Sequence, residues 1–180
     1  NTISSRELLC HWIWACLANF VGAAGLALLV YASGHAELNS GAIGRKAIAI
    51  AQAKQELSTS QAFFRALLCN MLVCLAVWMT LAGRSVVDKA VAIVFPISAF
   101  VAAGFEHSIA NMYFFPLALL VQEGGHLAGA TGGVTVMGML CNLGTVIAGN
   151  VCGGLLVALG YYTVYRYQQP KGNRTDWSNS

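Results

Sequence analysis

A carboxylate, an imidazole and an amide lie close together in an otherwise apolar part of the chain. They are Glu106, His107 and Asn111, within the run GFEHSIANM at residues 104–112. Between residues 90 and 121, Glu106 and His107 are the only acidic or basic side chains. Ionisable groups are costly inside a bilayer and tend to persist where they face a bundle interior or an aqueous path. We therefore expect this run to carry the function.

The chemistry expected of His107 is hydrogen bonding to a small anion, or proton exchange with it. A neutral imidazole can donate one hydrogen bond, and its ordinary pKa of ~6.5 lies near physiological pH. Asn111 follows four residues later, so it shares a face with His107 if the second half-helix starts at or before His107; otherwise the loop must bring the two together. In either case Asn111 could orient the ring. We assign Glu106, Ser108 and Asn70 to supporting the loop. A purely structural hydrogen bond between His107 and Asn111 is the alternative.

The composition is that of a polytopic membrane protein. Hydrophobic residues make up 57% of the chain, charged residues 9%, and the mean hydropathy is +0.65. Soluble domains carry roughly 25% charged residues. The net charge of +3 is dispersed, with no basic stripe among aromatics, which argues against nucleic-acid binding. The six cysteines form no Cys-x-x-Cys pair, and we expect no cofactor or bound metal.

Four apolar segments are long enough to cross a bilayer, so we predict an all-α fold. The predicted spans are residues 8–33, 62–81, 89–121 and 136–165, and residues 166–180 form a polar tail. Residues 35–61 carry several charges and are interpreted as an exposed connection with a short interfacial helix at 43–50.

The third span is predicted to be interrupted near residues 104–108. Pro96 and Pro116 each lack a backbone donor, and Gly104 with the polar cluster separates two apolar halves. We expect half-helices over residues 89–103 and 109–121. The positive N-terminal end of the second half would favour an anion. A continuous helix with a proline kink is the alternative.

The distribution of basic residues predicts the orientation. Four spans place both termini on one side of the membrane. That side carries six Lys or Arg residues and the opposite loops carry three, so both termini should be cytoplasmic.

Three segments resemble the formate/nitrite transporter family. They are residues 70–79 (NMLVCLAVWM), the pair of tripeptides at 83–85 (GRS) and 88–90 (DKA), and residues 105–112 (FEHSIANM). The resemblance covers roughly residues 12–165. The last segment is highly specific to the family, and the spacing of the two tripeptides is similar to that of its formate-channel branch.

The resemblance implies transport of a small monovalent anion, formate foremost, with nitrite and hydrosulfide as alternatives. It implies an hourglass pore in which apolar constrictions flank the histidine. By position, Phe100 and Val73 match constriction residues, and Lys54 matches a lysine of the outer vestibule. It also implies a homopentamer in the bacterial inner membrane, with protons and the lipid bilayer as further partners.

A pattern of small-Asn-x-x-Gly-small recurs at residues 18–23 and 149–154. If the two copies belong to structural repeats, the counterpart of His107 lies upstream of Asn1; coincidence is the alternative. The family has an aquaporin-like six-span fold of two inverted repeats. We therefore expect the chain to be a C-terminal fragment that lacks the first two spans, including a threonine-bearing loop that faces the histidine.

Two other functions are considered. The first is a membrane-embedded enzyme or metal site that uses Glu106, His107 and His126. It is weak because the His-Glu-x-x-His motif is absent and no third ligand lies at metal spacing. The second is an inactive assembly fragment, because a pore without two of its spans would lack one wall.

Overall fold

The computed structural model describes residues 3–124 and 133–168, and within these ranges every regular element is helical. This confirms the predicted all-α class. The elements are α1 (Ser5–Ala32), a 3₁₀ turn (His35–Glu37), α2 (Leu38–Gln55), α3 (Thr59–Ala82), α4 (Val86–Ala102), α5 (Ser108–Glu123) and α6 (Val136–Gln168). The predicted polar tail lies almost wholly outside the described residues.

Three helices begin at capping boxes that the sequence encodes. The pairs Ser4 and Glu7, Ser58 and Gln61, and Ser85 and Asp88 each exchange two hydrogen bonds between side chain and backbone. Such pairs satisfy amide donors that the first helical turn leaves unbonded. The boxes therefore fix where α1, α3 and α4 start.

Among the described residues, three helices are long and apolar enough to cross a membrane: α1, α3 and residues Val136–Arg166 of α6. The third predicted span is instead two helices, α4 with 17 residues and α5 with 16. Pro96 and Pro116 lie inside these helices, and neither proline is where the chain breaks. The break lies between Ala102 and Ser108, at Gly104 and the polar residues.

The most extensive helix packing joins α6 to α3. Gly149 and Gly153 of α6 lie directly against the α3 backbone, and a Cβ atom added at Gly153 would overlap the carbonyl group of Leu67. Small residues let helices approach at backbone distance. This approach brings the polar side chains of α6 within reach of the break between α4 and α5.

The expectation of an exposed connection at residues 35–61 is wrong for one face of that segment, although more than half of its residues are exposed. Its α2 helix buries one face, formed by Gly44, Ala47, Ile48 and Ala51, and packs mainly on α5. These positions have the i, i+3, i+4, i+7 spacing of one helical stripe. The charged residues between them concealed the stripe at the sequence level. As a consequence, Lys54 at the end of α2 lies next to the polar residues between α4 and α5.

Candidate functional site

The chain breaks after α4 through a Schellman motif. Gly104 has a φ of 65°, the left-handed conformation that favours glycine. The amide of Phe105 donates to the carbonyl of Phe100 at 3.0 Å, and the amide of Gly104 donates to that of Val101 at 3.1 Å. These two bonds satisfy the last carbonyl groups of α4 and turn the chain away from the helix axis. The three residues that follow are therefore free of helical constraint.

His107 occupies the N-cap position of α5. Its backbone is extended, with φ −111° and ψ 120°, and its Nδ1 accepts a hydrogen bond from the amide of Ala110 at 3.4 Å. Because Nδ1 is an acceptor, the neutral ring carries its proton on Nε2. The ring is half-buried and stacks on Phe100, with centroids 5.8 Å apart and planes 14° from parallel. Nε2 is thus the nitrogen that can donate to a ligand.

Asn150 of α6 ties the break to its surroundings. Its Nδ2 donates to the carbonyl groups of Ala66 at 2.8 Å and of Glu106 at 3.0 Å, and its Oδ1 accepts from the amide of Ser108 at 2.9 Å. The side chain of Asn70 donates to the Asn150 carbonyl at 2.6 Å. Buried backbone polar groups require such partners. One asparagine therefore holds both sides of His107.

Lys54 and Glu106 form a buried ion pair. The Nζ atom of Lys54 lies 2.9 Å from Oε1 of Glu106, and the two side chains are 15% and 3% exposed. Asn111 donates to the other carboxylate oxygen at 2.6 Å and to Oδ1 of Asn142 at 2.8 Å. A buried charge needs a partner and further hydrogen bonds to offset its desolvation. Glu106 has both.

His107 lines two open grooves beside α1. The larger, about 680 Å³, lies between α1, α5 and α6; the smaller, about 480 Å³, follows α1 and α5. Apolar side chains form most of the larger groove, and its amide groups come from Asn19, Asn70 and Asn150. An imidazole on the wall of such a groove meets a ligand in surroundings poor in hydrogen-bonding groups.

The structure brings several predicted site residues together. Phe100 contacts the ring of His107, and Glu106 and Ser108 form hydrogen bonds at the break. Asn70 bonds the backbone of Asn150, the residue whose side chain holds the break. Lys54 contacts Glu106. Val73 lies half-buried on α3, and its place in a constriction stays a prediction.

The expected contact between Asn111 and His107 is wrong. The amide of Asn111 donates to Glu106 and Asn142, and no hydrogen bond joins it to His107 among the described residues. The physical reason is that His107 caps α5 instead of lying within it. A cap residue has extended backbone, so the rule that residues four apart share a helical face does not apply.

Sequence reasoning missed the role of Asn142 and saw Asn150 only as part of a repeated pattern. Both are nearly fully buried, at 6% and 8% exposure. The available signal was two amide side chains eight residues apart in an apolar span. Such side chains need buried partners, and the polar break between α4 and α5 could supply them.

In the described parts of the chain, no three His, Cys, Asp or Glu residues lie close enough to hold a metal ion. His126, which the metal or enzyme alternative required, lies outside the described residues. That alternative has therefore gained no support.

Comparison with known proteins gives consistent matches. A family model described as formate/nitrite transporter matches residues 1–164. The formate channel FocA of Escherichia coli K12 is 37% identical over 174 residues, which cover 91% of this chain and 61% of FocA. A probable formate transporter of Methanothermobacter thermautotrophicus is also 37% identical, over 90% of this chain and 61% of its own length. The chain thus spans about three fifths of these curated relatives.

Solved structures agree with the sequence matches. A pentameric formate channel with formate bound superposes with a TM-score of 0.84 at 34% identity, over 92% of this chain and 69% of the channel. An ion channel of the FNT family gives a TM-score of 0.76 at 33% identity, over 93% of this chain and 62% of that channel. These relatives are channels and transporters, in agreement with the expectation that the chain is not an enzyme.

Proposed function

The chain belongs to the formate/nitrite transporter family, and on this basis we propose that the protein moves formate, or a similarly small anion such as nitrite or hydrosulfide, across a membrane. The observation that carries the proposal is the position of His107, on broken backbone at the wall of an apolar groove. A solved channel that is 34% identical binds formate, which supports formate as the first substrate to test.

The proposed role of His107 is to meet the anion through Nε2. A neutral ring donates a hydrogen bond from Nε2 to a carboxylate oxygen. A ring that is also protonated at Nδ1 gives up the cap bond from Ala110; it can then transfer the Nε2 proton to the anion and keep the proton on Nδ1. Formic acid, being neutral, crosses an apolar constriction at far lower solvation cost than formate. The N-terminus of α5 adds favourable partial positive charge beside the ring.

Phe100 and Val73 are proposed to form the apolar constriction. A ring of apolar side chains excludes hydrated ions by dewetting, whereas a small neutral acid can pass. The stacking of Phe100 on His107 supports a constriction next to the imidazole. Lys54 is proposed to attract anions toward the vestibule. Its charge is held in place by Glu106, so its influence is a fixed electrostatic field.

The chain is a membrane protein with several apolar helices, and several of its relatives are bacterial. We further propose the inner membrane as its location, a cytoplasmic C-terminus, and a homo-oligomer. Five copies are the first number to test, because the solved relative is pentameric. The excess of basic residues on the side of the termini supports the orientation.

The test is uptake of radiolabelled formate into proteoliposomes that contain the full-length protein. The His107→Phe variant removes the donor and keeps an aromatic ring, so uptake should fall at least about tenfold, the factor that corresponds to ~1.4 kcal/mol. His35→Phe is the matched control, because His35 is exposed in the 3₁₀ turn and should be dispensable. Equal uptake by His107→Phe and the unmodified protein would refute the role of the imidazole.

A further inference from the structure

Four residues, Glu106 and three others, close a ring of hydrogen bonds. Lys54 Nζ bonds Glu106 Oε1 at 2.9 Å, and Asn111 Nδ2 bonds Glu106 Oε2 at 2.6 Å. Asn111 Nδ2 also donates to Asn142 Oδ1 at 2.8 Å. Asn142 Nδ2 then donates to the backbone carbonyl of Lys54 at 2.9 Å, which returns the ring to its start. The ring links α2, the break, α5 and α6.

Asn142 holds two other members of the ring in position through two hydrogen bonds, one to Asn111 and one to Lys54. The two N–H bonds of a carboxamide point in set directions in one plane. When one N–H of Asn111 is held by Asn142, the other is aimed at Glu106. The Oδ1 of Asn111 has no partner among the described residues, so its amide group is committed to these two acceptors. Asn142 therefore determines how Asn111 presents itself to the carboxylate.

The second bond of Asn142 acts on Lys54. By donating to the Lys54 carbonyl, Asn142 anchors the last turn of α2 from α6, at the point where the ammonium group reaches Glu106. These two helices share few other contacts. The neighbouring residue Gln55 also bonds Gly133 and Thr135 just before α6, but only the Asn142 bond acts on Lys54 itself and connects it to the carboxamide that holds Asn111.

We propose that Asn142 is a positioning residue for transport: it closes the ring that holds Lys54 on Glu106 and thereby fixes the backbone that presents His107. This inference rests on the proposed function, because positioning matters only if His107 meets the permeant anion. Asn142 does not line the grooves at His107, so its action is through the ring.

The charged groups near His107 show which electrostatic interactions the hydrogen-bond ring holds in place. Glu106 precedes it in the break, and Lys54 reaches the break from α2. Arg65 of α3 contributes its backbone carbonyl, which accepts from the Glu106 amide at 3.4 Å. Among the described residues that line the two grooves with His107, none is Asp, Glu, Lys or Arg. The balance between Lys54 and Glu106 therefore sets the local field at the imidazole.

A double-mutant cycle tests the ring without any transport measurement. The melting temperature of the full-length protein in detergent is measured for the unmodified form, Asn142→Leu, Glu106→Gln and the double variant. Members of one network are non-additive, so the double variant should lose less than the sum of the single losses. Thr145→Val on the same helix is the control, because within the described residues its hydroxyl bonds the carbonyl of Cys141 and no member of the ring. An additive cycle would overturn the ring.

Formate flux in proteoliposomes tests the positioning role. Asn142→Leu should lower flux about tenfold, equivalent to ~1.4 kcal/mol, because two hydrogen bonds are lost. One is the bond to Asn111 and the other is the bond to the Lys54 carbonyl. It should also move the pH midpoint of flux in the same direction as Glu106→Gln, since both changes weaken the hold on the Lys54 charge. Thr145→Val should change neither quantity.

Each outcome separates the two proposals. A coupled melting cycle with unchanged flux and pH midpoint would show a purely structural ring and overturn the positioning role. An unmodified protein without formate flux would refute the proposed function, while the melting cycle would still decide whether the ring exists. If Asn142→Leu does not assemble, Asn142→Ser replaces it. Its shorter side chain cannot reach both partners, so the same results are expected.

Discussion

His107 performs a structural task with one ring nitrogen, and the chemical task proposed for it would use the other. Its Nδ1 caps α5 and so takes part in holding the helix in place. The same bond fixes the tautomer and leaves Nε2 as the donor toward the groove. Capping by histidine is therefore more than a local detail, because it determines which atom a ligand would meet. A substitution at His107 should affect both the start of α5 and the proposed anion contact.

Gly104 gives a prediction at the residue scale. Its positive φ disfavours a side chain, although no atom would obstruct one. Gly104→Ala should therefore lower the free energy of unfolding by about 1 kcal/mol, whereas Gly104→Asn should cost less, because asparagine tolerates the left-handed region. Thermal melting of both variants in detergent measures the difference. Equal melting temperatures for the alanine and asparagine variants would contradict the conformational explanation.

The sequence revealed the important residues better than their partners. The cluster of Glu106 and His107 was visible because charge in an apolar span is unusual. The partner of Glu106 was not visible, since Lys54 is 52 positions away and reaches the site only through the packing of α2. The role of Asn111 was misjudged, because its spacing from His107 suggested a contact between the two and gave no sign of the acceptors it uses, Glu106 and Asn142. Asn142 is 31 positions away and reaches Asn111 only through the packing of α6.

At the scale of elements, α6 is the frame on which the break is held. Asn142 bonds α2 and Asn150 bonds the break. Gly149 and Gly153 of the same helix allow α6 to pack closely against α3. The close approach and the polar bonds depend on each other, because the asparagines reach their partners only at short helix distance. The stability of α3 against α6 should therefore influence the geometry at His107.

Gly153→Ala tests this packing. The new methyl group would overlap the Leu67 carbonyl, so the helices must separate, at a cost of about 1–3 kcal/mol. Melting temperature and formate flux should both fall. Gly160→Ala on the same helix is the control, since a Cβ there meets nothing within 4 Å. Similar melting temperatures for the two variants would show that α3 and α6 tolerate greater separation.

The elements were predictable where hydropathy was continuous and less so where charge interrupted it. The apolar runs indicated α1, α3 and α6, and Gly104 with its polar neighbours indicated the break. The buried stripe of α2 was not recognised, because Arg45, Lys46 and Lys54 suggested an exposed segment. Most residues of the stripe are small and bury little area each. The hydrophobic pattern is therefore weak in the sequence, although the helix packs closely.

At the scale of the whole molecule, orientation follows from the distribution of basic residues. We predict that a fluorescent protein fused to the C-terminus is bright and that alkaline phosphatase fused there is inactive, since both termini should lie in the cytoplasm. The six basic residues on that side are Arg6, Arg84, Lys89, Arg166, Lys171 and Arg174. Active phosphatase with a dark fluorescent fusion would reverse the orientation.

The central claim is that an imidazole on broken backbone exchanges a hydrogen bond or a proton with the permeating anion. It is tested most directly by formate flux between pH 5 and 8, with protein-free vesicles subtracted, for the unmodified protein and His107→Asn. Because an imidazole ordinarily titrates near ~6.5, flux through the unmodified protein should change across this range, rising as the pH falls. The variant, which cannot titrate, should give a lower and flatter profile. Superimposable profiles would contradict the account.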